Sequence, residues 1–247
     1  MRLRNNLLPW ILLTVVVQAQ QATLPTAENG AKPHRTAYYI DASALNVDAL
    51  LPNPPTVGSP ENNAELAELH RIENKRTPNE VAQARADDAE EDMFAFKTVF
   101  GPAFTPEALP ITAALGEHVK NEQGVAGGDL KRHYQRPRPF LTDSTLHPVC
   151  QAKPTNDSYP SGHSLTGYLE AFTLIELVPE KRAEILARAE QYARNRLVCG
   201  VHYPSDTEAS RRVAYAVFGY MLATPKFQRD LASAKVELRA KLGLKSN

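Results

Sequence analysis

From Ser59 to the end of this chain, apolar residues recur every three or four positions, and proline or glycine closes each run. That spacing puts the apolar residues on one face of a helix and leaves no stretch alternating at the period of a strand. The first run carries Ala64, Leu66, Leu69 and Ile72. Thr77-Pro78 followed by Glu80 predicts a helix start into Val81 to Phe100, with Phe94, Phe96, Val99 and Phe100 in the core. Gly101-Pro102 ends that helix, and Thr105-Pro106-Glu107 opens the next through Leu109, Ile111, Leu115 and Val119. Past Gly124 to Gly128, a short run Asp129-Leu130-Lys131 is ended by prolines. Four further helices are expected over His163 to Val178, Glu180 to Val198, Pro204 to Leu222 and Pro225 to Leu244, the last lying on the surface. No internal repeat is evident, so the expected fold class is all-α.

The 247 residues suffice for one sizeable domain or two small ones. Lys and Arg balance Asp and Glu at 28 each, which gives no sign of a nucleic-acid partner. Arg2 and Arg4 precede the apolar run Leu7 to Val17, and small residues follow at Ala19 and Ala22. This is the pattern of a secretory signal peptide, residues 1–19, and no segment reaches the roughly 18 to 20 apolar residues of a membrane span. Its removal would take away Trp10, the only tryptophan. Residues 20–60 are rich in proline, with four between 52 and 60, and are expected as an extended arm on the helical domain 61–247. An exported protein meets an oxidising compartment, where Cys150 and Cys199 would pair; two buried free thiols are the alternative.

Three clusters between Lys131 and Asp206 carry chemistry. On the helix from 180 to 198, Ile185, Ala189 and Tyr192 share a face whose next step is Arg196, so a permanent cation continues an apolar stripe. Such an arginine calls for an anion, either a ligand or a structural carboxylate. Arg138 lies between Pro137 and Pro139, a stiff backbone suited to oxyanion binding, and Lys131 adds a point charge from a helix end. A merely solvated basic loop is the plainer account of both. Pro160-Ser161-Gly162-His163 precedes an apolar helix, so Ser161 caps it and Gly162 lets an anion approach the free amides, with His163 placed to protonate a leaving oxygen. Ordinary capping would use the same residues. His202 and Asp206 are four apart, a spacing that sets a carboxylate on one ring nitrogen and leaves the other nucleophilic, although such pairs also arise by chance. No convincing metal-ligand set accompanies them.

The joint order is more specific than its parts. Lys131, six residues, Arg138-Pro139; then Pro160-Ser161-Gly162-His163; then Arg196, five residues, His202, three residues, Asp206: this resembles the signature of the vanadate haloperoxidase and type-2 phosphatidic acid phosphatase superfamily. Ser158 to Ser164 and Cys199-Gly200-Val201-His202 resemble the class A bacterial non-specific acid phosphatases, and the likeness runs from Tyr38 to Pro225-Lys226-Phe227. It implies a compact single-domain helical bundle, a small phosphomonoester substrate, no metal or other cofactor, and a periplasmic or secreted enzyme that forms homo-oligomers. It also implies His202 as nucleophile forming a phosphohistidine, Asp206 as its orienting partner and His163 as general acid. Lys131, Arg138, Arg196, Ser161 and the Gly162 amide would hold the phosphoryl oxygens. Vanadate-dependent halide oxidation and non-catalytic phosphate binding are the competing functions. Asn195, Asp157 and Ser164 depart from the usual Ser, Gly and Thr, and none is expected to touch a catalytic group.

Overall fold

The computed structural model describes residues 36–41 and 45–245; the expected leader, 1–19, and residues 20–35 and 42–44 of the arm lie outside them. Its organising element is helix α6, Gly162–Leu177, which is mainly apolar and buried over nearly its whole circumference. A helix of that kind must be surrounded to be stable in water. Leu165, Leu169, Leu174 and Leu177 are completely buried, and so are Thr166 and Ala171 between them. The surrounding layer is α4 (Pro110–Tyr134), α7 (Arg182–Val198), α8 (Pro204–Leu222) and α9 (Pro225–Lys241). Outside α7 lie α1 (Pro60–Lys75) and α2 (Pro78–Ala89). No strand occurs among the described residues, and the all-α expectation is met. No helix among them is long and apolar enough to cross a membrane.

Several boundaries differ from the sequence expectation, each for a packing reason. The helix predicted over Val81 to Phe100 is broken after Ala89. A link through Glu90 to Asp92 leads to a 3-10 turn, Met93–Phe96, and the single-turn α3, Lys97–Phe100. Met93, Phe94, Ala95 and Phe96 are all buried, and a continuous helix would aim four consecutive side chains around its whole circumference. The Asp92 carboxylate accepts from the Phe94 N–H at 2.8 Å and stabilises the break. The next helix begins at Pro110, because Thr105 closes a local turn by accepting from the Ala108 N–H at 3.3 Å.

From Pro110, α4 then runs without interruption through Gly124, Gly127 and Gly128, where the sequence suggests a break. Glycine in a helix interior costs about 1 kcal/mol relative to alanine. Here packing against α6 outweighs that cost: Val119, Glu122, Val125, Ala126 and Leu130 are buried, and a Cβ on Gly127 would lie 3.3 Å from Leu165 Cδ2. Helix α9 is not purely superficial either, since Phe227, Ala234 and Leu238 are buried on one face.

Residues 38–40 lie against α4. Glu122, buried in α4, accepts the backbone N–H groups of Tyr38, Tyr39 and Ile40 at 2.6, 3.0 and 3.3 Å. One carboxylate thereby satisfies three donors of a segment that has no sheet or helix of its own. Tyr159 Oη donates to the Pro52 carbonyl at 2.8 Å, tying the arm to the loop that precedes α6. Cys150 and Cys199 form a disulfide with Cα atoms 5.1 Å apart, which rules out the free-thiol alternative.

Candidate active site

The three sequence clusters meet around the N-terminus of α6. Ser161 is its N-cap, with Oγ accepting from the Ser164 N–H at 3.4 Å and from Ser164 Oγ at 3.0 Å. The Ser161 N–H donates to the Asp206 carbonyl at 3.1 Å, and Ser210 Oγ donates to the Ser161 carbonyl at 2.7 Å. These bonds hold the start of α6 against the start of α8. A Cβ on Gly162 would lie 3.4 Å from Gln123 Nε2 and 3.9 Å from Lys131 Cε, so α4 presents a cation where α6 begins. Free helix amides, the positive dipole end and that cation together favour an anion at this point.

His202 and Asp206 are both buried and joined, Nδ1 to Oδ2, at 3.2 Å. Arg138 Nη1 lies 3.2 Å from His202 Nε2. A guanidinium only donates, so Nε2 is the acceptor and the ring proton sits on Nδ1, facing Asp206. Burial, and then Arg138, Lys131 and Arg196, hold the His202 imidazole well below its usual range, so the ring is neutral. Asp206 Oδ2 also accepts from Ser158 Oγ at 2.6 Å and the Tyr203 N–H at 2.9 Å, while Oδ1 accepts from Arg136 Nη1 at 2.6 Å. Burial raises the Asp206 pKa, and Arg136 with these donors offsets only part of the rise. Arg136 is itself held by Glu65 at 2.7 Å and lies over the Tyr203 ring.

Arg138 is placed by its neighbours on three sides. Nε donates to Asp157 Oδ1 at 2.9 Å and Nη1 to the Val201 carbonyl at 3.0 Å, besides the contact with His202. Lys131 Nζ donates to the Asp157 carbonyl. On the opposite side, Arg196 ends the stripe Ile185, Ala189, Tyr192, and all four side chains are buried as the helical face predicts. Arg196 Nη1 donates to Asp88 Oδ1 at 2.6 Å, and its buried Nε has no protein partner. His163 Nε2 lies 3.2 Å from the Asp88 carbonyl oxygen, and Nδ1 lies 3.7 Å from Glu91. Burial, and then the cation Arg196, push His163 down to about 3.

Every residue singled out in the sequence is therefore at this helix mouth or one contact from it. Sequence reasoning missed Asp88, Arg136, Asp157 and Ser158 as part of the site. Arg136 had a local signal, since it shares the Pro-flanked basic segment with Arg138. Asp88 had none, because its partner Arg196 is 108 positions away. Of the departures from the motif, Asp157 touches the phosphate-binding candidates Arg138 and Lys131, and Ser164 donates to Ser161. Asn195 is buried and donates to Asp87 Oδ2 at 2.7 Å; Asp87 in turn pairs with Arg188, so this change is absorbed behind the site. Asp88, Cys150 and Cys199 are the one group at metal-ligand spacing among the described residues, and two of its three donors are the sulfurs of the disulfide.

Comparison with known proteins places the chain in a family. Residues 113–230 match the PAP2 superfamily. A non-specific acid phosphatase of Providencia stuartii is 34% identical over 210 residues, covering 81% of this chain and 84% of that protein. A non-specific acid phosphatase of Salmonella typhimurium is 33% identical over 157 residues, which is 61% of this chain and 62% of that protein. A solved structure from Bacillus subtilis, a transmembrane PAP2-type phosphatidylglycerolphosphate phosphatase, has 18% identity and a TM-score of 0.45 over 73% of this chain and 88% of that one, too distant to argue from. The chain belongs to the PAP2 superfamily, among its bacterial non-specific acid phosphatases, and is a hydrolase of that class.

Proposed function

We propose that this chain is a periplasmic or secreted acid phosphatase that hydrolyses small phosphomonoesters through a phosphohistidine on His202, without a metal. The observation that carries this reading is the neutral, buried His202, with Nδ1 on Asp206 and Nε2 turned toward Arg138. Phosphate binding alone needs cations and amides. It has no use for an imidazole whose tautomer is fixed and whose lone pair points into the anion site. Export is supported by the N-terminal pattern Arg2 to Ala19 and by the Cys150–Cys199 disulfide.

In this reading the phosphoryl group lies at the start of α6, with its oxygens on Lys131, Arg138, Arg196, the Ser161 hydroxyl and the Gly162 amide. A bond forms from His202 Nε2 to phosphorus as the ester P–O bond breaks, and the developing imidazolium is stabilised by Asp206. His163 gives a proton to the departing alkoxide. Water then attacks the phosphohistidine, yielding its proton to His163 and releasing phosphate with a neutral His202. In the ligand-free site His163 is neutral, because burial and Arg196 disfavour its charge. The negative phosphoryl group offsets the cations, so the proton needed for acid catalysis arrives with substrate or is taken up as it binds.

The test is trapping. Brief reaction with a labelled aryl phosphate in excess chelator should leave an acid-labile phosphoenzyme, and His202→Ala should leave none while remaining folded. An unlabelled wild-type protein that nevertheless turns over would refute the covalent step. No aryl phosphate hydrolysis from pH 4 to 8 would refute the function.

A further inference from the structure

The helix mouth carries more negative charge than a phosphate cradle needs. Three cations face it: Lys131, Arg138 and Arg196. Two carboxylates already sit on them, Asp88 on Arg196 at 2.6 Å and Asp157 on Arg138 at 2.9 Å. With His163 and His202 neutral, the site holds about one net positive charge. Of the other charged groups nearby, Glu91 is matched by Lys120 at 3.7 Å, while Arg136 is shared by Asp206 and Glu65, which adds a further negative charge behind His202. Asp157 is the unexpected member, since a cradle for an anion gains nothing from a carboxylate bonded to its own Arg138.

On the function proposed above, we propose that Asp157 is a specificity-determining residue of the cradle. Its carboxylate is a resident negative charge beside Arg138 that makes the site favour singly charged phosphoryl groups over doubly charged tetrahedral anions. The carboxylate is firmly placed. Oδ1 accepts from Arg138 Nε and from Thr155 Oγ1 at 2.7 Å, and the main-chain carbonyl takes Lys131. The groups that face it are Lys131 from α4, Arg138 from the segment before α5 (Pro139–Thr142), Thr155 on its own loop, and His202 beyond α7. Burial opposes its ionisation, but Lys131 and Arg138 more than compensate, so it keeps its charge throughout the range in which an acid phosphatase works.

The preference follows from Coulomb's law, because repulsion by Asp157 scales with ligand charge. If the carboxylate weakens a singly charged ligand by some factor, it weakens a doubly charged one by about the square of that factor. A phosphomonoester loses its second proton near pH 6, so the disfavoured form is the one that prevails at neutral pH. The substrate class assigned here is therefore the monoester monoanion, and acid preference becomes in part a property of how the cradle is charged.

Asp157→Asn separates this role from simple placement of Arg138, since asparagine keeps an acceptor oxygen for Arg138 Nε and Thr155 Oγ1 but removes the charge. The measurement is calorimetric binding to the mature protein at pH 5, using inorganic phosphate as the singly charged ion and sulfate as the doubly charged one. The wild type should bind phosphate more tightly than sulfate. The variant should gain about tenfold for phosphate and on the order of a hundredfold for sulfate. Equal gains for the two ions, or a loss for both, would overturn the proposal while leaving the phosphatase reading intact. If the wild type binds neither ion, the phosphatase reading itself fails. Asp157→Gly, checked for folding by circular dichroism, should show the same unequal gains, and is the replacement variant if the asparagine protein does not fold.

Discussion

Asp206→Asn perturbs catalysis and stability through separable contacts. Oδ2 of Asp206 receives three donors, from His202, Ser158 and Tyr203, while Oδ1 receives Arg136. An amide has one acceptor oxygen, so either the His202 side or the Arg136 side must face an NH2 group. If the oxygen stays with the three donors, Arg136 meets a donor at 2.6 Å and loses its counter-charge while still buried. Breaking a buried pair costs about 3 to 5 kcal/mol, and Glu65 at 2.7 Å keeps Arg136 partly matched, so about 3 kcal/mol is expected. For a domain of this size that lowers Tm by roughly 6 to 12 °C. If the amide turns the other way, His202 takes the wrong tautomer and Nε2 no longer offers a lone pair. In a serine protease triad the equivalent change costs on the order of 10⁴-fold. Urea unfolding and kcat/KM for an aryl phosphate should both be measured. An activity loss below tenfold would refute the orienting role of Asp206. Unchanged stability would refute the claim that Asp206 balances Arg136.

Acid should destabilise the ligand-free protein well above the range where carboxylates titrate. His163, pushed down to about 3, stays neutral when folded and takes a proton when unfolded, so between about pH 6.5 and 3 the unfolded state holds more protons and stability falls as pH falls. His202, also depressed, adds to this, and each contributes at most about 1.4 kcal/mol per pH unit. Urea midpoints that are flat across pH 4 to 6.5 would contradict the assignment. Phosphate binding at pH 6 should take up protons, seen as a buffer-dependent binding enthalpy, whereas proton release would contradict the role of the anion in charging His163. Replacing Cys150 and Cys199 with serine opens a ring whose ends are 49 positions apart and should lower stability by about 4 kcal/mol in urea. The mature protein should show no tryptophan fluorescence, because Trp10 lies in the expected leader; clear emission would mean that the leader is retained.

Local pattern alone placed much of this molecule. Period and punctuation gave α8 its limits, Pro204–Leu222, and placed α6 and the capping serine within a residue. The stripe Ile185, Ala189, Tyr192, Arg196 marked a buried cation without any structure, because a helix repeats its faces every 3.6 residues. Motif order then put His163, His202 and Asp206 in one site. What the sequence could not reveal was set by neighbours distant in the chain. Helix α4 passes through Gly124, Gly127 and Gly128 with α6 packed at Gly127, and the predicted second helix breaks because four successive side chains have a core to enter. The counter-charges are of the same kind. Asp88 meets Arg196 across 108 positions, and Arg136 meets Asp206 across 70. A local period says that a cation is buried and leaves open which carboxylate faces it. For Arg196 only the packing of α2 against α7 decides that, and with it how much charge the mouth of α6 has left for a substrate.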